Sequence, residues 1–167
     1  MGDFTRSEQP GDGDERSIML GWLSFHRDAL LAKCHGVTGG QLVERVAPPS
    51  RLSLLGIVRH MTEMERVYGV WSLGPKAPLE WVWGTYAQGE EHDIDCTAAD
   101  VENSFHAWRE EIGKADAAIG RHAVWDERGE GNGHSIRWNI AKLVGEYARH
   151  NGHADILRER IDGQTGE

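Results

Sequence analysis

Apolar residues recur at helical spacing in four stretches of the chain. Between Ser17 and His35 they are Ile18, Leu20, Trp22, Leu23, Phe25, Ala29, Leu30 and Leu31, with Gly36 as a stop. A second run, Leu54, Leu55, Val58, Met61, Met64, Val67, Tyr68 and Trp71, fits the same period. Ser50 or Ser53 can cap its start, and Gly74 and Pro75 end it. Thr97, ahead of Ala98, Ala99 and Asp100, resembles a capping box, after which Val101, Phe105, Trp108, Ile112, Ala115 and Ile119 continue as a third helix. The fourth helix uses Ile140, Leu143, Val144, Tyr147, Ala154, Leu157 and Ile161, with Ile136 and Trp138 at its entry, and ends at Gly163.

The intervening segments break the period. Gly39, Gly40 and the Pro48-Pro49 pair interrupt the first connection, although Thr38 can cap a short turn from Gln41 to Val46. From Gly74 to Thr97 the residues Trp81, Trp83 and Tyr86 lie among Gly and Asp without a period, which predicts a long aromatic loop folded back over the bundle. Gly129, Gly131 and Gly133 alternate with Glu130 and Asn132; the acidic neighbours argue against a phosphate loop, and the run reads as a linker. With no strand pattern, the simplest way to bury four apolar stripes is an all-α, four-helix bundle. Its expected limits are residues 16–163, between a mobile tail at 1–15 and a short tail at 164–167.

Composition narrows the partners. A length of 167 residues suits one domain, and 39% hydrophobic with 27% charged residues suits a soluble, folded chain. The net charge of −9 disfavours a nucleic-acid partner, whose affinity comes from clustered Lys and Arg. No apolar run reaches the roughly 20 residues that span a bilayer, and the acidic, polar start does not resemble a secretory signal, so a cytoplasmic protein without a membrane partner is expected. Cys34 and Cys96 form no CxxC unit and give neither a disulfide framework nor a thiolate zinc site. Homodimerisation is common for such bundles, and no motif here specifies it.

The chemistry concentrates on two helices. At about 100° per residue, Glu146, His150 and His153 project within a wedge of about 60° on the fourth helix, in line with Leu143 and Leu157. His60 falls in angle among Met64, Val67 and Trp71 on the second. A carboxylate and several imidazoles in a low-dielectric interior are costly unpaired, and one divalent transition metal would satisfy them together. Two blander readings stand beside this one. A lone His on an apolar face is more often hydrogen-bonded to a carbonyl than a ligand, and Glu146 with Arg149 or His150 also reads as a buried ion pair. Two imidazoles and a carboxylate suit zinc, nickel, iron(II) or manganese.

Other residues carry weaker signals. Glu63 and Glu65 flank the His60 turn and read as a solvated face; Arg59, Arg66 and Arg149 read as surface ion pairs that can also meet an anionic substrate. Trp71, Trp81 and Trp83 read as packing, and His26, His35, His92, His106, His122 and His134 share no spacing and read as surface residues. Cys34 has no base in a recognisable motif, which leaves nucleophilic catalysis through it unsupported.

The pieces L55-G-I-V-R-H60-M-T-E63-M-E65-R and E146-Y-A-R-H150-N-G-H153-A-D155-I-L-R-E-R-I-D-G163 resemble the DinB superfamily, in particular its actinobacterial mini-circle protein branch. The resemblance covers the chain from about Ile18 to Gly163. It implies a four-helix bundle of DinB type whose metal is held by one His of the second helix and two ligands one turn apart on the last. Many members carry His at both of those positions and Gln three residues later. Glu146 followed by His150 is closer to the mycothiol-dependent maleylpyruvate isomerase branch, and His153 replaces the Gln. The implied ligands are His60, Glu146 and His150, with His153 as a fourth ligand or a group that orients the bound thiol. The implied activity is a transferase or isomerase acting on a small-molecule substrate with a low-molecular-weight thiol such as mycothiol. The alternative is a non-catalytic, stress-related metal-binding bundle.

Overall fold

A computed structural model describes residues 6–84 and 93–166. Helix α1 spans Glu15–Cys34, and its first turn is capped by the Asp14 side chain, which accepts from the Ser17 N–H. The short α2, Gly39–Val43, is held by a capping box between Thr38 and Gln41. Ser53 caps α3, Leu54–Met64, by accepting from the Gly56 N–H. A 3-10 turn at Ala98–Asp100, closed by a capping box from Thr97, leads into α4, Val101–Gly120. Ser135 caps α5, Ile136–Asp162, which ends at Gly163 in the left-handed region at φ 80°. Among the described residues the only strand-like pairing is an isolated bridge between Arg128 and Ser135, so the protein is an all-α bundle.

The second long segment departs from the uniform period expected of it. After Met64 the chain continues without a break as a π-helical segment, Glu65–Trp71, in which the Ser72 N–H reaches back five residues to the Val67 carbonyl at 2.9 Å. The wider turn lies against α4 through Gly69. A Cβ there would stand 2.4 Å from the Ala115 Cβ, so only glycine permits this approach.

The core is drawn from all four long segments: Leu23 and Leu30; Leu54, Leu55, Ile57 and Met61; Trp108 and Ile119; Ile136, Ile140, Leu143 and Tyr147. Burying each Leu or Ile contributes about 1.5–3 kcal/mol, close to the cost of one unpaired buried polar group. A bundle of this size therefore tolerates few polar core residues without partners.

One connection differs from its sequence reading. Gly129 and Gly131 pack on the end of the π segment: a Cβ on Gly129 would fall 2.0 Å from the Ser72 carbonyl oxygen, and one on Gly131 2.3 Å from that of Trp71. Gly129 and Gly131 are thus a packing requirement and not part of a free linker. Ahead of α1, which begins at Glu15, residues 6 and 7 contact that helix. The Ser7 N–H donates to Asp28 at 2.9 Å, and the Arg6 guanidinium lies 4.3 Å from the Phe25 ring centroid. Tyr86 and His92 lie outside the described residues.

Candidate metal centre

Helices α3 and α5 pack together and bring one set of donors to a common point. His60, Glu146 and His150 each offer a ligand atom, and these atoms lie within 4.8 Å of one another. The His60 and His150 ring centroids are 4.5 Å apart, and Glu146 Oε2 stands 3.6 Å from His150 Nε2. The two side chains on α5 are 9% and 14% exposed, at the margin of the core where their helical angles put them. His153 lies edge-on to His150, with centroids 5.2 Å apart, but is not part of the three-donor set.

Each donor has a distinct electrostatic setting. Burial, with the nearby His60 and His153 rings, lowers the His150 pKa to about 4, which keeps the imidazole neutral and its lone pair free at neutral pH. Burial pushes Glu146 up, but the hydrogen bond and charge of Lys142 outweigh it and hold the carboxylate below its usual range. Lys142, one turn before Glu146, donates to Oε1. Nδ1 of His60 pairs with Asp93 Oδ2 at 2.8 Å. Nδ1 of His150 and Nδ1 of His153 are buried with no hydrogen-bond partner. Two imidazoles, an ionised carboxylate and unpartnered ring nitrogens are the donor set that a divalent transition metal completes, and the residues present fit such an ion.

Two of the donors, His60 and His150, line a cavity of about 450 Å³ together with Pro49, Ser50, Arg51, Leu52, Asp93 and Ile94. That is room for a small organic molecule beside the ion site.

Several residues stand differently from their sequence reading. Glu63 and Glu65 are fully buried and not a solvated face. Glu63 accepts the N–H groups of Val82 and Trp83 at 3.1 and 2.8 Å, and burial raises its pKa. Glu65 accepts two bonds from Arg27, at 2.7 and 2.8 Å, and one from the Tyr147 hydroxyl at 2.6 Å. Arg59 is buried and not a surface residue, with its Nε donating to the Asp93 carbonyl at 2.8 Å. Arg66 is tied to Glu111 by bonds of 3.0 and 2.7 Å, while Arg149 is exposed. The cation at the cavity wall is Arg51, paired with Asp95. The Cys34 thiol is buried and pushed up to about 12, chiefly by desolvation, which makes it inert as a nucleophile. His106 and His134 are exposed, whereas His26, His35 and His122 are half-buried.

Sequence reasoning missed Asp93 and Lys142. Lys142 carried a signal, since it precedes Glu146 by four residues. Asp93 carried none: it lies 33 residues from His60 in a segment without periodicity.

Fold and donor set together define a class, the helical bundle with a candidate His-Glu-His metal centre under an open cavity. Within that class the family is shown by sequence: a family model described as Mycothiol-S-transferase matches residues 18–163, and the chain belongs to that family. This agrees with the DinB-like resemblance in the motifs. No curated protein and no solved structure matches the chain. Among the described residues no helix is long and apolar enough to cross a membrane.

Proposed function

We propose that the protein is a metal-dependent thiol S-transferase that uses mycothiol or a closely similar low-molecular-weight thiol. His60, Glu146 and His150 would hold one divalent ion, zinc first among the candidates, with nickel, iron(II) and manganese also suited to the donors. When bound, the ion supplies a positive charge that lowers the pKa of a thiol brought to it. The observation that carries the reading is the convergence of three donors, two of which, His60 and His150, line the cavity.

The chain's own residues have separate tasks. Glu146 offsets part of the ion's charge, and Lys142 occupies one of its oxygens. The cavity walls at Pro49, Leu52 and Ile94 limit water around the sulfur and its electrophile. In the transfer, the sulfur gives up its proton and bonds to the electrophilic carbon. The leaving group departs with the electron pair of the broken bond and ends up protonated.

His153 decides between transferase and structural bundle. Its buried, unpartnered Nδ1 supports a second reading, in which it closes the ion's shell and the metal only ties α3 to α5. Cobalt-substituted protein separates the two. With an open position, added thiol changes the visible absorption, and His153→Gln leaves that response intact. A closed shell makes the wild type indifferent to thiol, and that result sinks the transferase reading. The donor set is tested independently: His60→Ala and His150→Ala should each reduce stoichiometric metal binding, while His106→Ala, at an exposed position of α4, should not. Equal binding by all three variants would remove the site.

A further inference from the structure

We infer that Asp93 is the positioning residue of this centre: it fixes His60 in the tautomer that carries its proton on Nδ1 and so leaves Nε2 as the ligating nitrogen. The inference rests on the reading of His60 as a ligand and extends it to a residue outside the motifs.

The geometry is that of an orienting carboxylate. Asp93 Oδ2 lies 2.8 Å from His60 Nδ1, and the Asp93 side chain is only 4% exposed against 24% for His60. The other oxygen is also engaged, since Oδ1 accepts the N–H of Ile94 at 3.0 Å. An ionised carboxylate only accepts, so the imidazole must donate through Nδ1, and its remaining lone pair sits on Nε2. A ring held at Nδ1 by a buried carboxylate is fixed in plane and tautomer, which is how carboxylates commonly set metal-ligating histidines.

Asp93 is itself delivered by α3. Arg59 Nε donates to the Asp93 carbonyl at 2.8 Å, and the Arg59 guanidinium lies 4.0 Å from the Trp83 ring centroid. Trp83 Nε1 donates back to the Arg59 carbonyl at 3.0 Å, and Glu63 receives the backbone N–H groups of Val82 and Trp83. Arg59, His60 and Glu63 therefore hold Val82, Trp83 and Asp93 against α3. The burial of Glu63 and Arg59, unexplained by their sequence reading, follows from this clamp. The arrangement is also asymmetric: His60 has an orienting carboxylate, whereas His150 Nδ1 has no partner. His60 is thus the preset ligand, and His150 is the one free to adjust.

Two measurements test this. Long-range proton–nitrogen NMR on metal-free wild type at about pH 8 reports the His60 tautomer directly. The proton is expected on Nδ1, opposite to the tautomer free histidine prefers, and a proton on Nε2 overturns the inference. Zinc affinity, measured by competition with a chromophoric chelator, is expected to fall about 10- to 100-fold in Asp93→Ala. Asp93→Asn, which can still accept from Nδ1, is expected to recover part of that loss. Wild-type affinity in a folded Asp93→Ala protein overturns the inference even though His60→Ala loses zinc. If His60→Ala and His150→Ala retain zinc, the donor set itself has failed. Should Asp93→Ala not fold, the wild-type tautomer alone decides.

Discussion

Two polar clusters join α5 to the second long segment, and they are chemically opposite. The inner one contains Glu65, Arg27, Tyr147 and Trp108. Arg27 donates twice to Glu65 and once to Asp116 at 2.8 Å, Tyr147 donates to Glu65 at 2.6 Å, and Trp108 Nε1 donates to the Tyr147 oxygen at 2.9 Å. Burial and the Glu65 charge raise the Tyr147 pKa, so its hydroxyl keeps the proton it donates. The outer cluster begins one residue earlier on α5, at Glu146, and contains buried ring nitrogens with no partner at all. A cluster whose donors and acceptors are matched within the protein has no chemistry left to offer a ligand. One that buries unused lone pairs loses stability, a cost that the proposed ion would offset.

The contrast is broken most sharply by Glu65→Ala. Removing one member of the matched set strands Arg27 in the core, and a loss of about 3–5 kcal/mol in urea unfolding is expected. A loss under about 1 kcal/mol, the range of an exposed pair, would show that the inner cluster does not hold the fold.

His150→Leu should do the reverse. In metal-free protein it removes an unpartnered nitrogen, so stability should stay within about 1 kcal/mol of wild type or rise. In wild type, zinc at a hundred times its Kd should add about 2.7 kcal/mol, and the variant should gain far less. A variant destabilised without metal and still stabilised by it would contradict the assignment of His150.

A third test is the pH dependence. The His150 pKa is about 4 in the folded protein against 6.5 for an unperturbed histidine, so the unfolded chain binds more protons between those values. The contribution is fully present above about pH 6.5 and is lost as pH falls towards 4. The thermal midpoint of metal-free wild type should therefore drop across that window, and His150→Leu should flatten the drop. Equal slopes for the two proteins would mean that other groups govern acid stability.

Legibility in the sequence followed the range of the cause. Helix limits near Ser53, Thr97 and Gly163 depend on neighbours three or four residues away, and they stand where capping chemistry puts them. The convergence of His60 with Glu146 and His150 was legible because polar residues interrupted apolar stripes at fixed angles. The π segment was not, since Val67, Tyr68 and Trp71 fit a 3.6-residue period whichever ladder the backbone adopts. Glu65 escaped because its partner Arg27 is 38 positions away, and a lone Glu between apolar residues looks solvated. The glycine run escaped for the same reason, because what it meets is the backbone of Trp71 and Ser72.

Adjacent positions on α5 have a mechanical consequence. Glu146 and Tyr147 point about 100° apart around the helix axis, so the two clusters key one shaft at two azimuths. A roll or axial slide that relieves one key jams the other, which fixes the phase of α5 against the bundle more tightly than a greasy stripe of leucines can. Insertion of a single residue between Tyr147 and His150 would leave the inner key seated and swing His150 by about 100°, out of reach of Glu146 and His60. The reading frame of this helix, and not only its composition, is therefore part of the site.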